Sequence, residues 1–227
     1  TAGKTLEQIV DGDRKSYVMQ YIDWKHIENN AFHVTEEFAV SRTGMSDTYR
    51  PDIVLFVNGI PLCIIECKRP DIKDSLNQAI SQHLRNQKDD GIRSLYVYSA
   101  LLLSTNVNEV SYATTGTPKK FWNRWTEQFV DKTAEELYRY KLSEKVNQKH
   151  VVSDISWKEY RMCAEPTVQY GSLKTPSIQD SYLYNLCRPD RLLNLMYRFT
   201  LYDDGVKKIA RYQQYFAVEK VMERVRN

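Results

Sequence analysis

Residues 50–70 read RPDIVLFVNGIPLCIIECKRP, two apolar runs on either side of Asn58-Gly59. Val, Ile, Leu and Phe crowd both runs, and Asn-Gly supplies residues that tolerate positive φ, so the stretch predicts a β-hairpin. Three charges interrupt it: Asp52 opens the first run, and Glu66 and Lys68 close the second. Residues two apart share a face of a strand, so Glu66 and Lys68 point one way and Cys67 the other.

Whether Asp52 joins them depends on the turn. A two-residue turn at Asn58-Gly59 pairs Val57 with Ile60 and carries Asp52 to Ile65, on the face away from Glu66. A three-residue loop, Val57-Asn58-Gly59 with Gly59 left-handed, pairs Phe56 with Ile60 and returns Asp52 to the face of Glu66. A carboxylate stranded on the wrong face of a buried hairpin costs several kcal/mol, on the order of 2–7 for an unpaired polar group and more for a charge. The three-residue loop is therefore the expected geometry.

The chain has 227 residues, enough for one large domain or a domain with a smaller second one. Its hydrophobic fraction of 42% and charged fraction of 27% are those of a globular protein, and a net charge of +3 permits nucleic-acid binding without arguing for it. No apolar run reaches the roughly 18 residues of a membrane helix. The first residue is Thr1, so the chain reads as a piece cut or processed from a longer one. Cys63, Cys67, Cys163 and Cys187 form no Cys-x-x-Cys pair and lack His partners at zinc spacing, which reads as reduced thiols in a cytoplasmic protein.

Away from the hairpin, SYVMQYIDW is a short strand or helix and AFHVTEEFAV (31–40) a strand. IKDSLNQAISQHLRNQK (72–88) carries Leu76, Ala79, Ile80 and Leu84 at helical spacing. SLYVYSALLLST (94–105) reads as a buried strand and VSYATTG (110–116) as another. TPKKFWNRWTEQF opens like a helix behind Pro118, and TAEELYRYKLSEKV (133–146) is a further helix. The rest reads as helices broken at Arg188-Pro189 and near Gly205. The expected fold is α/β, a mixed central sheet flanked by helices over residues 1–130, with a mainly helical extension over 131–227.

Two carboxylates on one face of a rigid sheet repel each other and attract a hard divalent cation. Mg²⁺ accepts one or two carboxylates, keeps several waters and leaves room for a phosphate oxygen. A lysine beside them can handle an attacking water and balance charge on the phosphorane-like transition state. These are the parts of a phosphodiester hydrolase. Acidic-x-basic triplets ending in Lys occur four times, at Asp13, Asp23, Glu66 and Asp71; only that of Glu66 closes a long apolar strand behind a strand that carries Pro-Asp. The plain alternative is a strand end whose Glu66 and Lys68 meet solvent beside Pro70.

Pro51-Asp52 followed after 13 residues by Glu66-Cys67-Lys68 resembles the PD-(D/E)xK nuclease motif. The stretch 50–70, IDWKHIENNAFHVTEEFAV before it, QAISQHLRNQ after it and RYQQYFAVEKVMERV near the end resemble the N-terminal endonuclease region of the R (restriction) subunit of type I restriction–modification enzymes. Gln82 and Arg85 match that family's helical signature, and Asn86 stands where its tyrosine usually is. The resemblance implies a restriction-endonuclease-like fold, Asp52 and Glu66 as Mg²⁺ ligands with the backbone carbonyl of Cys67, Lys68 at the attacking water, and Gln82 supporting the site. It implies a role in cleaving double-stranded DNA beside modification and specificity subunits, in a bacterial or archaeal cytoplasm, with ATP used only by a motor region beyond Asn227. Glu7 and Glu28 are candidates for one more acidic ligand from an early helix.

Arg69, Arg85, Lys119 and Lys120 are expected at DNA phosphates, with Arg124 near Trp122 and Trp125; the alternative is an exposed basic turn over buried tryptophans. Lys207, Lys208 and Arg211 read as a solvated helix face, the four histidines as structural, and the second Arg-Pro-Asp, at 188–190, as a helix cap. Gly3-Lys4-Thr5 lacks the earlier glycine and strand of a phosphate-binding loop. A repair or recombination nuclease of the same fold leaves the helical extension unexplained. A catalytically silent docking module leaves the intact Asp52, Glu66 and Lys68 set unexplained.

Overall fold

A computed structural model describes residues 3–148 and 173–226. Strands β1 (Lys4–Val10) and β2 (Asp13–Met19) form an exposed hairpin about Asp11 and Gly12, whose φ of 52° and 85° suit a tight turn. The sequence hid this hairpin because neither strand has an apolar face; Leu6 and Ile9 stand among polar neighbours.

Strand β3 (Phe32–Glu36) ends where Glu37 turns to φ 47°, so the expected strand over 31–40 is shorter. β4 (Val40–Ser41) and β5 (Thr48–Tyr49) make a small pair of their own. β6 (Ile53–Val57) and β7 (Ile60–Cys67) are the hairpin read first. Helices α1 (Ser75–Asn86) and α2 (Arg93–Tyr98) follow, then β8 (Leu101–Thr105) and β9 (Val110–Ala113). α3 (Lys132–Asn147), α4 (Ile178–Cys187) and α5 (Pro189–Arg198) precede a hairpin of β10 (Thr200–Asp203) and β11 (Val206–Ile209), and α6 (Tyr212–Arg226) closes the described chain.

The central sheet has the order β3-β6-β7-β8-β9. Only β7 and β8 are parallel, joined by the crossover that contains α1 and α2. β8 is buried along its whole length, as the middle of a two-sided sheet requires. One face packs Leu55, Cys63, Ile65, Leu101 and Leu103 against Leu186, Leu192, Leu195 and Tyr215 of the C-terminal helices. The other packs Val54, Ile64 and Leu102 against Ile92, Leu95 and Tyr96. The mixed α/β architecture with a helix-rich C-terminal region is the one expected.

Four expectations fail for local reasons. Residues 94–100 are not strand: Ile92, Leu95 and Tyr96, at i, i+3 and i+4, are all buried, and that spacing makes α2. The segment after Pro118 is one 3-10 turn, Lys119–Phe121, because Trp122 is already extended (ψ 136°) and Asn123 pairs with Tyr112. Asp204 and Gly205, at φ 48° and 74°, form a hairpin turn between β10 and β11 rather than a helix break. Lys207 consequently lies on a strand, half-buried, with Nζ donating to the carbonyls of Val97 and Ser99 at 2.9 Å each, where α2 ends.

At Arg188-Pro189 the break falls where expected: Pro189 opens α5, and Asp190 takes the Arg188 guanidinium instead of capping an amide. Cys63, Cys67 and Cys187 are free thiols; Cys163 and His150 lie outside the described residues.

Candidate active site

The turn of the central hairpin is the two-residue form, not the three-residue loop. Asn58 and Gly59 both take positive φ, 50° and 80°, and Val57 pairs with Ile60. Asn58 is held there by its own side chain: it donates to the Tyr21 carbonyl and to Asn30 Oδ1 at 2.8 Å each, and accepts from the Ala31 amide at 2.7 Å.

The register is repaired three residues on. Phe56 pairs with Pro61 but Leu55 pairs with Cys63, so Leu62 is an extra residue, a β-bulge beside a proline that has no N–H for the ladder. Leu62 and Cys63 both enter the same core. Ile53 then pairs with Ile65, and one further step sets Asp52 across from Glu66. The expected common face is present, by a different route.

Asp52 Oδ2 accepts the Cys67 amide at 2.6 Å. Lys68 Nζ lies 4.0 Å from the same oxygen and donates to Gln82 Oε1 at 2.6 Å. Gln82 comes from α1, which lies over β7 and β8, so the predicted quartet Asp52, Glu66, Lys68 and Gln82 is brought together. Cys67 turns its side chain to the opposite core, and burial beside Asp52 and Glu66 pushes its thiol up to about 11.

Glu66 is fully buried. Its Oε1 lies 3.4 Å from Asn86 Nδ2, and its Oε2 has no hydrogen-bond partner. Burial, then the Asp52 carboxylate, pushes Glu66 up to about 8, while Lys68 pulls the other way. An orphaned buried carboxylate oxygen beside a second carboxylate fits a hard divalent cation, which accepts such a pair and completes its shell with water. Among the described residues no group of three or more His, Cys, Asp and Glu side chains is placed to hold a metal ion. Glu7 is engaged by Arg14, and Glu28 lies 3.7 Å from His26; neither joins Asp52 and Glu66 in a group of three able to hold a metal ion.

Beside Lys68 and Gln82 opens a cavity of about 350 Å³, also lined by Ser81, Arg85 and Lys119. Arg85 is fixed by stacking on Tyr49 at 4.4 Å and by donating to Asn86 Oδ1. Lys120 lies over Phe121, outside this lining. Arg69 is exposed and paired with Asp71 at 2.6 Å, and Arg124 with Glu109 at 2.9 Å. Trp125 is buried, and the ring of Trp122 packs against that of His83, so the basic turn does lie over tryptophans.

The sequence reading missed Tyr96 and Tyr49, while His83 has the structural role expected of it. His83 is fully buried between α1 and β8, and burial lowers it to about 4. Tyr96 stands at i+4 from Ile92, a helical spacing, but the apolar run around it reads equally well as a strand.

Residues 1–121 match the family described as Type I restriction enzyme R protein N terminus. A Methanocaldococcus jannaschii protein, provisionally named type I restriction enzyme MjaIXP endonuclease subunit, is 29% identical over 223 residues, 98% of this chain and 19% of that one. The type I restriction enzyme HindI endonuclease subunit of Haemophilus influenzae is 27% identical over 229 residues, 97% and 18% of the two chains. The SsaAORF53P endonuclease subunit of Staphylococcus saprophyticus is 30% identical over 102 residues, 44% and 10%. The chain thus spans about a fifth of the length of the first two.

Proposed function

Since this chain belongs to the Type I restriction enzyme R protein N terminus family, we propose that it is the endonuclease region of such a subunit, hydrolysing phosphodiester bonds of double-stranded DNA. The observation that carries the reading is the placement of Asp52 one step beyond the Ile53–Ile65 pair of the bulged hairpin, beside Glu66, with an unpartnered Glu66 oxygen and Lys68 alongside. Asp52, Glu66 and the Cys67 carbonyl would hold Mg²⁺. When bound, that ion polarises the scissile phosphate and neutralises its developing charge.

The chain's own groups then have separate tasks. Lys68, aimed by Gln82, donates to the attacking water or to a phosphate oxygen, and its ammonium offsets charge in the transition state. Arg85 and Lys119, on the rim of the cavity, hold neighbouring phosphates, with Arg69 and Lys120 as outer contacts. Target choice in this reading falls to the modification and specificity subunits. Residues 131–227 form the passage toward an ATP-driven motor. The complex would work in the cytoplasm; among the described residues no helix is long and apolar enough to cross a membrane.

The test is Lys68→Ala in the assembled restriction complex. DNA cleavage should fall at least about a hundredfold, and ATP hydrolysis should persist. A variant that cleaves like the parent would remove Lys68 from this role.

A further inference from the structure

Glu66 is approached from behind by a line of buried polar groups whose hydrogens can be placed by elimination. His83 Nε2 lies 2.9 Å from the Leu103 carbonyl, and Nδ1 lies 2.9 Å from the Tyr96 hydroxyl. A carbonyl only accepts, so Nε2 carries the hydrogen. The ring, buried with no acid against it, is neutral, so Nδ1 accepts from Tyr96. The Tyr96 oxygen is then left to accept, and Asn86 Nδ2 stands 3.5 Å away.

The orientation of the Asn86 amide is fixed independently from its other end. Arg85 donates to Asn86 Oδ1 from Nε at 3.2 Å and from a terminal nitrogen at 3.0 Å. The Asn86 amide nitrogen must therefore face inward, with one hydrogen toward Tyr96 and one toward Glu66 Oε1 at 3.4 Å. All of His83, Asn86 and Glu66 are fully buried. Glu66 thus has one oxygen met by a donor whose direction is set from two sides, and one oxygen left open.

We infer that Asn86, held by Tyr96 and Arg85, is a positioning residue that engages Oε1 of Glu66 and so reserves Oε2 for a divalent cation. This rests on the proposed cation site of Asp52 and Glu66 and adds which oxygen is used and what fixes it. Groups that orient a metal ligand typically change metal affinity about 10–100-fold when removed.

The probe is Mn²⁺ alone, titrated calorimetrically into the 227-residue chain without DNA, with circular dichroism and thermal melting for every variant. Asn86→Leu should bind Mn²⁺ on the order of tenfold more weakly while remaining folded. Tyr96→Phe, which removes one anchor of Asn86 and almost no volume, should weaken binding in the same direction and by less. Parental affinity in folded Asn86→Leu overturns the inference; if that variant does not fold, parental affinity in Tyr96→Phe does so. If the parent binds no Mn²⁺, or Asp52→Asn binds as the parent does, the cation site itself fails, a result distinct from the first.

Discussion

The backbone amide of Cys67 donates to the carboxylate of Asp52 at 2.6 Å, across the two strands of the central hairpin. This bond fastens Asp52 to the residue between Glu66 and Lys68. The position of Asp52 is therefore set by main chain, and its charge is free for chemistry. Asp52→Asn keeps an acceptor for the amide and removes the charge. The variant should fold with a melting temperature no lower than the parent's, since it also relieves repulsion with Glu66, and should lose Mn²⁺ binding. Loss of fold together with binding would show that the charge is structural.

Glu66 gives stability a sign with pH. Its folded value near 8 lies above the ordinary 4.5, so the folded chain keeps a proton that the unfolded chain releases. The contribution is complete below about 4.5 and is lost as pH rises through 8, at a cost on the order of a few kcal/mol. Urea unfolding without metal should show a lower midpoint at pH 9 than at pH 6, and Glu66→Gln should flatten that slope. Cation binding must expel the same proton, so Mn²⁺ affinity should climb with pH up to about 8.

His83 acts in the opposite direction. Its folded value near 4 lies below the ordinary 6.5, because burial disfavours the imidazolium. Below 6.5 the unfolded chain takes a proton that the folded chain refuses, so this contribution, present above 6.5, is lost as pH falls toward 4. Between about 4.5 and 6.5 the two groups oppose each other, and the parent should show a shallow profile there. In Glu66→Gln the His83 slope should stand alone, with a urea midpoint that drops from pH 7 to pH 5.

Arg191 and Glu127 form a nearly buried pair at 2.7 Å that ties α5 to the segment after Trp125. The guanidinium also lies over the rings of Trp125, Tyr215 and Phe216. Removing one partner strands the other, so Glu127→Ala should cost about 3–5 kcal/mol. The double variant Arg191→Leu, Glu127→Leu should cost less than the sum of the two single Leu replacements, which a double-mutant cycle in urea measures.

The site was legible wherever one strand or one helix carried it. Glu66 and Lys68 share a face by the period of a strand, and the opposition of Cys67 follows from simple alternation; Gln82 was named through the family's helical signature, not through the period of its helix. Asp52 needed the pairing of two strands, and its register depends on the bulge at Leu62, a device with no reliable mark in sequence beyond the adjacent Pro61. Tyr96, and the partners of the structural His83, were beyond reach for another reason. Their roles arise from the packing of α1 and α2 against the sheet, and an apolar run of Leu, Tyr and Val does not distinguish a buried helix from a buried strand. The two hairpins at Asp11-Gly12 and Asp204-Gly205 had the plainest turn residues in the chain but flanks without alternation.

The Leu62 bulge turns the spacing of the two acidic motifs into a question of parity. Asp52 and Glu66 are separated by an even count, 14. A hairpin with a two-residue turn sets opposite one another only residues whose numbers differ by an odd count. One unpaired residue on either strand changes odd to even, and Leu62 is that residue. The distance between Pro-Asp and Glu-x-Lys is therefore no free spacer. A chain with one residue fewer would reach the same opposition through a plain hairpin, and a chain with one residue more in the turn would reach it only by keeping the bulge.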